Sequence, residues 1–144
     1  MRFDLHTHHE RCGHAYGRME DYIEQALELG LDAVGISDHC PSFDDLQDHP
    51  TPRLKMAKSA FPEYVQEALR LKAKYQGRIE VLIGVESDII AGRIEAYAKE
   101  YDRYPFDYII LVWLSGFLPL KFWSSLIITR SRSHSGRTLI VRSI

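Results

Sequence analysis

The sequence predicts an α/β fold of parallel strands joined by crossover helices, and three observations predict it. Short apolar runs alternate with amphipathic helical stretches from residue 1 to residue 110. The runs are apolar enough to be covered on both faces, as parallel strands are. The unusual polar residues His6, His8, Asp38, His39 and Glu86 all fall at the carboxyl ends of these runs, where such folds gather ligand chemistry.

Each element has its own justification. RFDLHTH (2–8) alternates with period two, so Asp4, His6 and His8 share one face of a strand and Phe3, Leu5 and Thr7 the other. MEDYIEQALELG (19–30) reads as a helix with Ile23, Ala26 and Leu27 in one stripe and Gly30 as its stop. LDAVGISDH (31–39) is a buried strand. The polar stretch CPSFDDLQDHPTPRLKMAKSA (40–60) holds three prolines and is expected to be a loop with at most a short helix. FPEYVQEALRLKAKYQG (61–77) is a second helix, with Pro62 at its start and Gly77 at its end. RIEVLIGVESDII (78–90) is expected as a third strand, AGRIEAYAKEYD (91–102) as a third helix and YPFDYIIL (104–111) as a fourth strand.

Composition narrows the function classes. A chain of 144 residues with a net charge of −2 fits one globular domain and gives no electrostatic case for a nucleic-acid partner. The opening MRFDLHTH lacks the basic and apolar blocks of a signal peptide. Cys12 and Cys40 form no CxxC pair and read as free thiols, so a cytoplasmic location is expected. Residues 1–110 carry all 20 acidic side chains and 13 of the 18 basic ones, whereas residues 111–144 carry no acid and five bases. The chain is therefore divided at residue 110, with 111–144 a separate basic, apolar tail. Tyr108 to Ile128 also resembles a membrane anchor, but Pro119 and Lys121 interrupt it, and no membrane partner is expected.

The candidate chemistry begins with FDLHTHHERCGHA (3–15), which packs four of the seven histidines, His6, His8, His9 and His14, into thirteen residues. An HxH pair on a strand sets two imidazoles about 6.5–7 Å apart along one face, able to converge on a cation. Glu86 emerges from the apolar run VLIGVE, where a carboxylate needs a metal or, alternatively, a lysine or arginine. His9, on the opposite face, reads as a packed or solvated ring, and His49 as an exposed one. Cys40 is a buried thiol or a soft-metal ligand, and Cys12 is read in the same way. Arg53, Lys55 and Lys58 are solvated charges or a loop cluster that attracts phosphate.

HTHHERCGHA, ISDHCP and GVES resemble the successive metal motifs of the PHP (polymerase and histidinol phosphatase) superfamily. With DHP (48–50), MAKSAFPEYV (56–65) and YPFDYII (104–110), the resemblance favours its histidinol-phosphatase branch and spans residues 1–110. It implies the N-terminal part of a distorted (β/α)7 barrel that holds two or three divalent ions, zinc, iron or manganese. His6 and His8 would bind one metal, Glu86 would bridge to a second, and His14 and His39 would bind a third. Asp38 would stand behind the ligands, and Asp4 would orient a ring. The implied activity is metal-dependent hydrolysis of L-histidinol phosphate, a small phosphate ester, to L-histidinol and phosphate in histidine biosynthesis. The alternatives are a PHP phosphoesterase acting on nucleotides or phosphodiesters, and an inactive metal-binding fragment. After FDYII the family continues with a small residue and a histidine, where this chain reads LVWLSG. His134 sits in no matching context. The tail is accordingly expected to come from a shifted frame or a premature truncation, leaving the first and fourth strands as open edges.

Overall fold

Strand β2 (Ala33–Ile36) is buried at every position and forms the middle of the fold. The computed structural model describes residues 1–51, 53–89, 93–113, 125–133 and 136–143. β2 pairs in parallel with β1 (Phe3–Asp4) on one side and β3 (Glu80–Ile83) on the other, in register Phe3 with Ala33 and Ala33 with Glu80. A second sheet has the order β4 (Glu86–Ile89), β5 (Tyr108–Trp113), β6 (Ser125–Ser133), β7 (Gly136–Ser143). β4 and β5 are parallel, and β6 is antiparallel to both β5 and β7. The parallel α/β expectation therefore holds through β5, and the described strands do not close a barrel.

Helix α1 (Met19–Glu28) buries Met19, Ile23 and Ala26, with Leu27 packed at the edge of the same cluster. Gly30, at φ +66°, supplies the left-handed turn that leads into β2. Helix α2 (Phe61–Lys74) follows a single 3₁₀ turn at Lys58–Ala60, the one short helix expected in the polar loop. Pro62 and Glu63 suit its positive amino end, and Lys72 and Lys74 its carboxyl end. Its buried face, Phe61, Tyr64, Val65, Ala68 and Leu71, meets Val34, Ile36, Val81 and Ile83. Each such aliphatic side chain contributes about 1.5–3 kcal/mol on burial. Helix α3 (Ile94–Tyr101) places Tyr97 and Tyr101 against Phe43.

Three strand expectations need correction. The first strand is a ladder only at Phe3–Asp4, because hydroxyl groups take over beyond it. Tyr108 Oη donates to Leu5 O at 2.7 Å, the Thr7 amide donates to Ser37 Oγ at 3.0 Å, and Thr7 Oγ1 donates to Gly35 O at 2.6 Å. Alternation survives all the same: Thr7 and His9 are buried, whereas His6 is exposed.

The third strand is broken at Gly84–Val85 into β3 and β4, which belong to different sheets. The break makes room for the Tyr108 ring, since a Cβ at Gly84 would lie 2.2 Å from Tyr108 Cζ. Backbone bonds bridge the gap: the Gly84 amide donates to Ile36 O at 2.7 Å, the Glu86 amide to Asp38 O at 3.0 Å and the Cys40 amide to Glu86 O at 2.8 Å. The β2 chain direction thus continues through His39, which forms an isolated bridge with Glu86.

The fourth strand is not an open edge, because β6 pairs along it from Tyr108–Thr129 to Val112–Ser125. The described parts of the anchor-like stretch are strands. No helix among the described residues is long and apolar enough to cross a membrane. His134 lies outside the described residues.

Gly84→Ala should destabilise the chain by about 1–3 kcal/mol through overpacking against Tyr108. In urea unfolding the Tyr108→Ala/Gly84→Ala pair should cost less than the sum of the two single changes. Full additivity would contradict the contact.

Candidate metal centre

The end of β2 and the start of β4 bring distant residues to one place. The His39–Glu86 bridge sets the second strand's exit beside Glu86. The Thr7–Ser37 hydroxyl exchange lays residues 6–8 along the same edge. The turn at Glu10–Gly13, closed by the Gly13 amide on Glu10 O at 3.1 Å, returns the chain so that His14 meets His39. Gly13 takes φ +76° and abuts the Arg53 backbone, so a side chain there would be both strained and crowded.

The resulting cluster holds all five proposed ligands. Glu86 Oε2 lies 2.8 Å from His6 Nε2, 3.0 Å from His8 Nε2 and 3.6 Å from His39 Nδ1. His6 Nε2 and His8 Nε2 are 3.1 Å apart, and His14 Nδ1 is 2.9 Å from His39 Nε2. The His8 ring centroid lies 4.8 Å from that of His14 and 4.5 Å from that of His39. Tetrahedral donors at zinc–nitrogen distances would stand about 3.3 Å apart, close to these spacings. Among these five residues two three-donor groups form, His6–His8–Glu86 and His8–His14–His39, and a third, His8–Cys12–Asp38, adjoins them; His8 is in all three.

Electrostatics favours a cation at this place. Glu86 is 6% exposed, and among the described residues its ion-pair partners are imidazoles, not lysine or arginine. Burial would raise its carboxyl, but hydrogen bonds from His6 and His8 and the charge of His39 hold it far below the usual carboxylate range. Burial pushes His39 down to about 4, with Glu86 opposing and His8 and His14 adding to the fall. Hydrogen bonding to Glu86 raises His6, with burial opposing. A neutral His39 beside an ionised Glu86 keeps its lone pair available, which suits zinc, iron or manganese.

Other sequence candidates lie elsewhere. Asp38 is buried behind the cluster, where Oδ1 accepts the His9 amide at 2.6 Å and the Cys12 thiol at 3.2 Å. His9, fully buried, places Nδ1 3.2 Å from Asp38 Oδ2, out of line for a hydrogen bond. Burial would raise the Asp38 carboxyl, yet His9 and Cys12 hold it below its ordinary value. Burial and the Asp38 charge push the Cys12 thiol up to about 11. Asp4 does not orient a ring: its Oδ1 accepts the His6 backbone amide at 2.9 Å. His49 lies 3.7 Å from Asp45, away from the site. Cys40 is a fully buried thiol whose proton burial retains.

The three loop cations do not act as one cluster. Lys58 donates to Asp45 O at 2.6 Å, Arg53 is exposed, and Lys55 forms a mostly buried pair with Asp88. The Lys55–Asp88 pair escaped sequence reasoning. Its only signal was Asp88 two residues beyond Glu86, on the same strand face.

Imidazoles sharing one buried carboxylate, set over the carboxyl ends of parallel strands, define an α/β protein with a candidate divalent-metal centre. The chain belongs to the PHP domain family, which matches residues 4–130. It is 33% identical over 107 residues to the "Probable histidinol-phosphatase" of Deinococcus radiodurans, covering 74% of this chain and 40% of that protein. It is 33% identical over 119 residues to the "Histidinol-phosphatase" of Bacillus subtilis, covering 76% of this chain and 42% of the relative. The fold matches the crystal structure of hisK from Listeria monocytogenes, which carries the name histidinol phosphatase. That match has a TM-score of 0.64 and 28% identity, and covers 76% of this chain and 44% of the other. The chain thus spans about two fifths of the length of the curated relatives it matches.

The Asp38 network stabilises the fold fully above the ordinary aspartate value of about 3.9, and its contribution is lost as pH falls through the lower folded-state value. Asp38→Asn should therefore cost about 1–3 kcal/mol at pH 7 in chelator-treated protein. The difference from wild type should shrink in urea unfolding as pH falls below about 4. A difference unchanged by pH would contradict the ionised Asp38.

Proposed function

We propose that this chain carries the metal centre of a metal-dependent phosphomonoesterase of the histidinol-phosphatase type, with L-histidinol phosphate as substrate. The observation that carries the reading is the buried Glu86 carboxylate, met by His6, His8 and His39 and by no lysine or arginine among the described residues. His6, His8 and Glu86 would hold one ion, Glu86 would also serve a second, and His14 and His39 would serve a further ion. Asp38 acts from behind the ligands. All of these residues lie within 1–110, the part assigned to the barrel domain, with 111–144 treated apart. In the same reading the reaction belongs to histidine biosynthesis in the cytoplasm, where Cys12 and Cys40 stay reduced.

Each side chain has a stated task. Ionised Glu86 fixes the charge balance of the cluster, and neutral His39 offers a lone pair. His6 and His14 are exposed while His39 and Glu86 are buried, so the cluster opens to solvent on the imidazole side and receives a phosphoryl group there. Bound divalent ions neutralise phosphoryl oxygens and lower the pKa of a coordinated water. The shared His8 also favours a second reading, a metal-binding chain without turnover. Two three-donor groups that share one imidazole are not both complete at once.

Metal analysis and phosphate release distinguish these readings. The purified chain should retain zinc, iron or manganese, and His8→Ala should weaken binding by more than about 100-fold, because losing an outer-sphere partner alone costs 10- to 100-fold. Hydrolysis of L-histidinol phosphate in preference to a nucleotide panel supports the phosphatase. Bound metal without phosphate release supports the second reading. Unchanged metal content in His8→Ala overturns both.

A further inference from the structure

Every imidazole that binds a metal through one nitrogen must satisfy the other, and the structure shows what faces the second nitrogen of His8. Its Nε2 points to His6 and Glu86. Its Nδ1 lies 3.8 Å from Cys12 Sγ, and the same sulfur lies 3.2 Å from Asp38 Oδ1 and 3.5 Å from His9 O. Cys12 is 2% exposed and Asp38 is fully buried, so bulk water does not compete for either group. Asp38 Oδ2 faces His9 Nδ1 at 3.2 Å, out of line for a hydrogen bond, and no lysine or arginine pairs with the carboxylate among the described residues. Its well-aligned partners are therefore the His9 amide and the Cys12 thiol, both on Oδ1.

We propose that Asp38, Cys12 and His8 form a buried relay in which Cys12 is a positioning residue, fixing the tautomer and ring plane of His8 for metal binding. His8 Nδ1–H donates to the sulfur, and the thiol donates its proton to the charged Asp38 oxygen, the stronger and nearer of its two acceptors. Where an ion replaces the His8 Nε2–H hydrogen bond to Glu86, that arrangement aims the Nε2 lone pair at the cluster. Metal-bound histidines usually place a carboxylate or carbonyl directly on the second nitrogen. Here Asp38 Oδ1 is occupied by the His9 amide, and the long reach of sulfur connects the two. The ligand atoms of all three residues lie within 4.8 Å of one another. Asp38 therefore acts on His8 through Cys12 and anchors the turn that carries both.

The relay rests on His8 as a metal ligand, and its test separates the two ideas. Cys12→Ser, Cys12→Val and Cys12→Ala are made in the full chain. The His8 ring nitrogens are read by ¹H–¹⁵N NMR in the zinc-loaded chain, and zinc affinity is read by chelator competition. Zinc-loaded wild type should show a His8 Nδ1–H protected from exchange with water. Serine, which can still accept and donate, should keep that protection and bind zinc within about threefold of wild type. Valine and alanine should lose the protection and bind zinc about 10- to 100-fold more weakly; alanine serves if valine does not fold. Wild-type behaviour in valine with loss in serine would make Cys12 a packing residue and overturn the relay. A thiolate-to-cobalt absorption band on cobalt substitution would make Cys12 a direct ligand and overturn it equally. If wild type binds no zinc, the metal-centre reading fails and the relay falls with it; zinc binding and Nδ1–H protection that valine and alanine leave unchanged overturn the relay alone.

Discussion

A carboxylate at 6% exposure whose ion-pair partners among the described residues are all imidazoles is the constraint on which the rest of this structure depends. Burying an ion without a counter-charge costs several kcal/mol even after relaxation. Protonated histidines offset part of that cost, but His39, driven down by burial, does not supply a charge at neutral pH. A divalent cation would resolve the conflict, because it would attract the carboxylate and accept the neutral imidazole lone pairs together. The donor atoms of Glu86, His6 and His8, lying 2.8–3.1 Å apart, are spaced to suit such an ion.

The scaffold meets this constraint with hydroxyl groups and small residues more than with a continuous ladder. Tyr108 reaches from β5 across the sheet to Leu5 O, and it can do so because Gly35 and Gly84 leave its ring room. Thr7 and Ser37 exchange hydrogen bonds where β1 has already ended, holding His6 and His8 in place without strand pairing. On the far side of the sheet Tyr64 Oη donates to Gly84 O at 2.6 Å, so two tyrosines on different elements secure the break between β3 and β4. Rigid support of this kind fixes the positions of the cluster's side chains.

Sequence reasoning reached four residues of the cluster because each sits at the carboxyl end of an apolar run, and chain direction alone carries such residues to one rim. His6, His8, His39 and Glu86 meet as that logic requires, and His14 joins them through a glycine turn. What was not legible is long-range. No local pattern says that Tyr108 would interrupt the third strand, since the contact spans residues 84 and 108 and depends on a glycine lacking a side chain. The shortness of β1 was hidden for the same reason: its period-two pattern persists, but side-chain hydroxyls replace the ladder. Cys12 was read as a buried thiol, and it is one. Its proximity to both His8 and Asp38 follows from a turn that the sequence marks only by Gly13.

The most direct measurement is anomalous X-ray scattering from crystals of this chain grown with zinc or manganese. A peak within about 2.3 Å of Glu86 Oε2, His6 Nε2 and His8 Nε2 is predicted. Density showing Glu86 paired with a lysine or arginine, with no anomalous peak at the imidazoles, would contradict it.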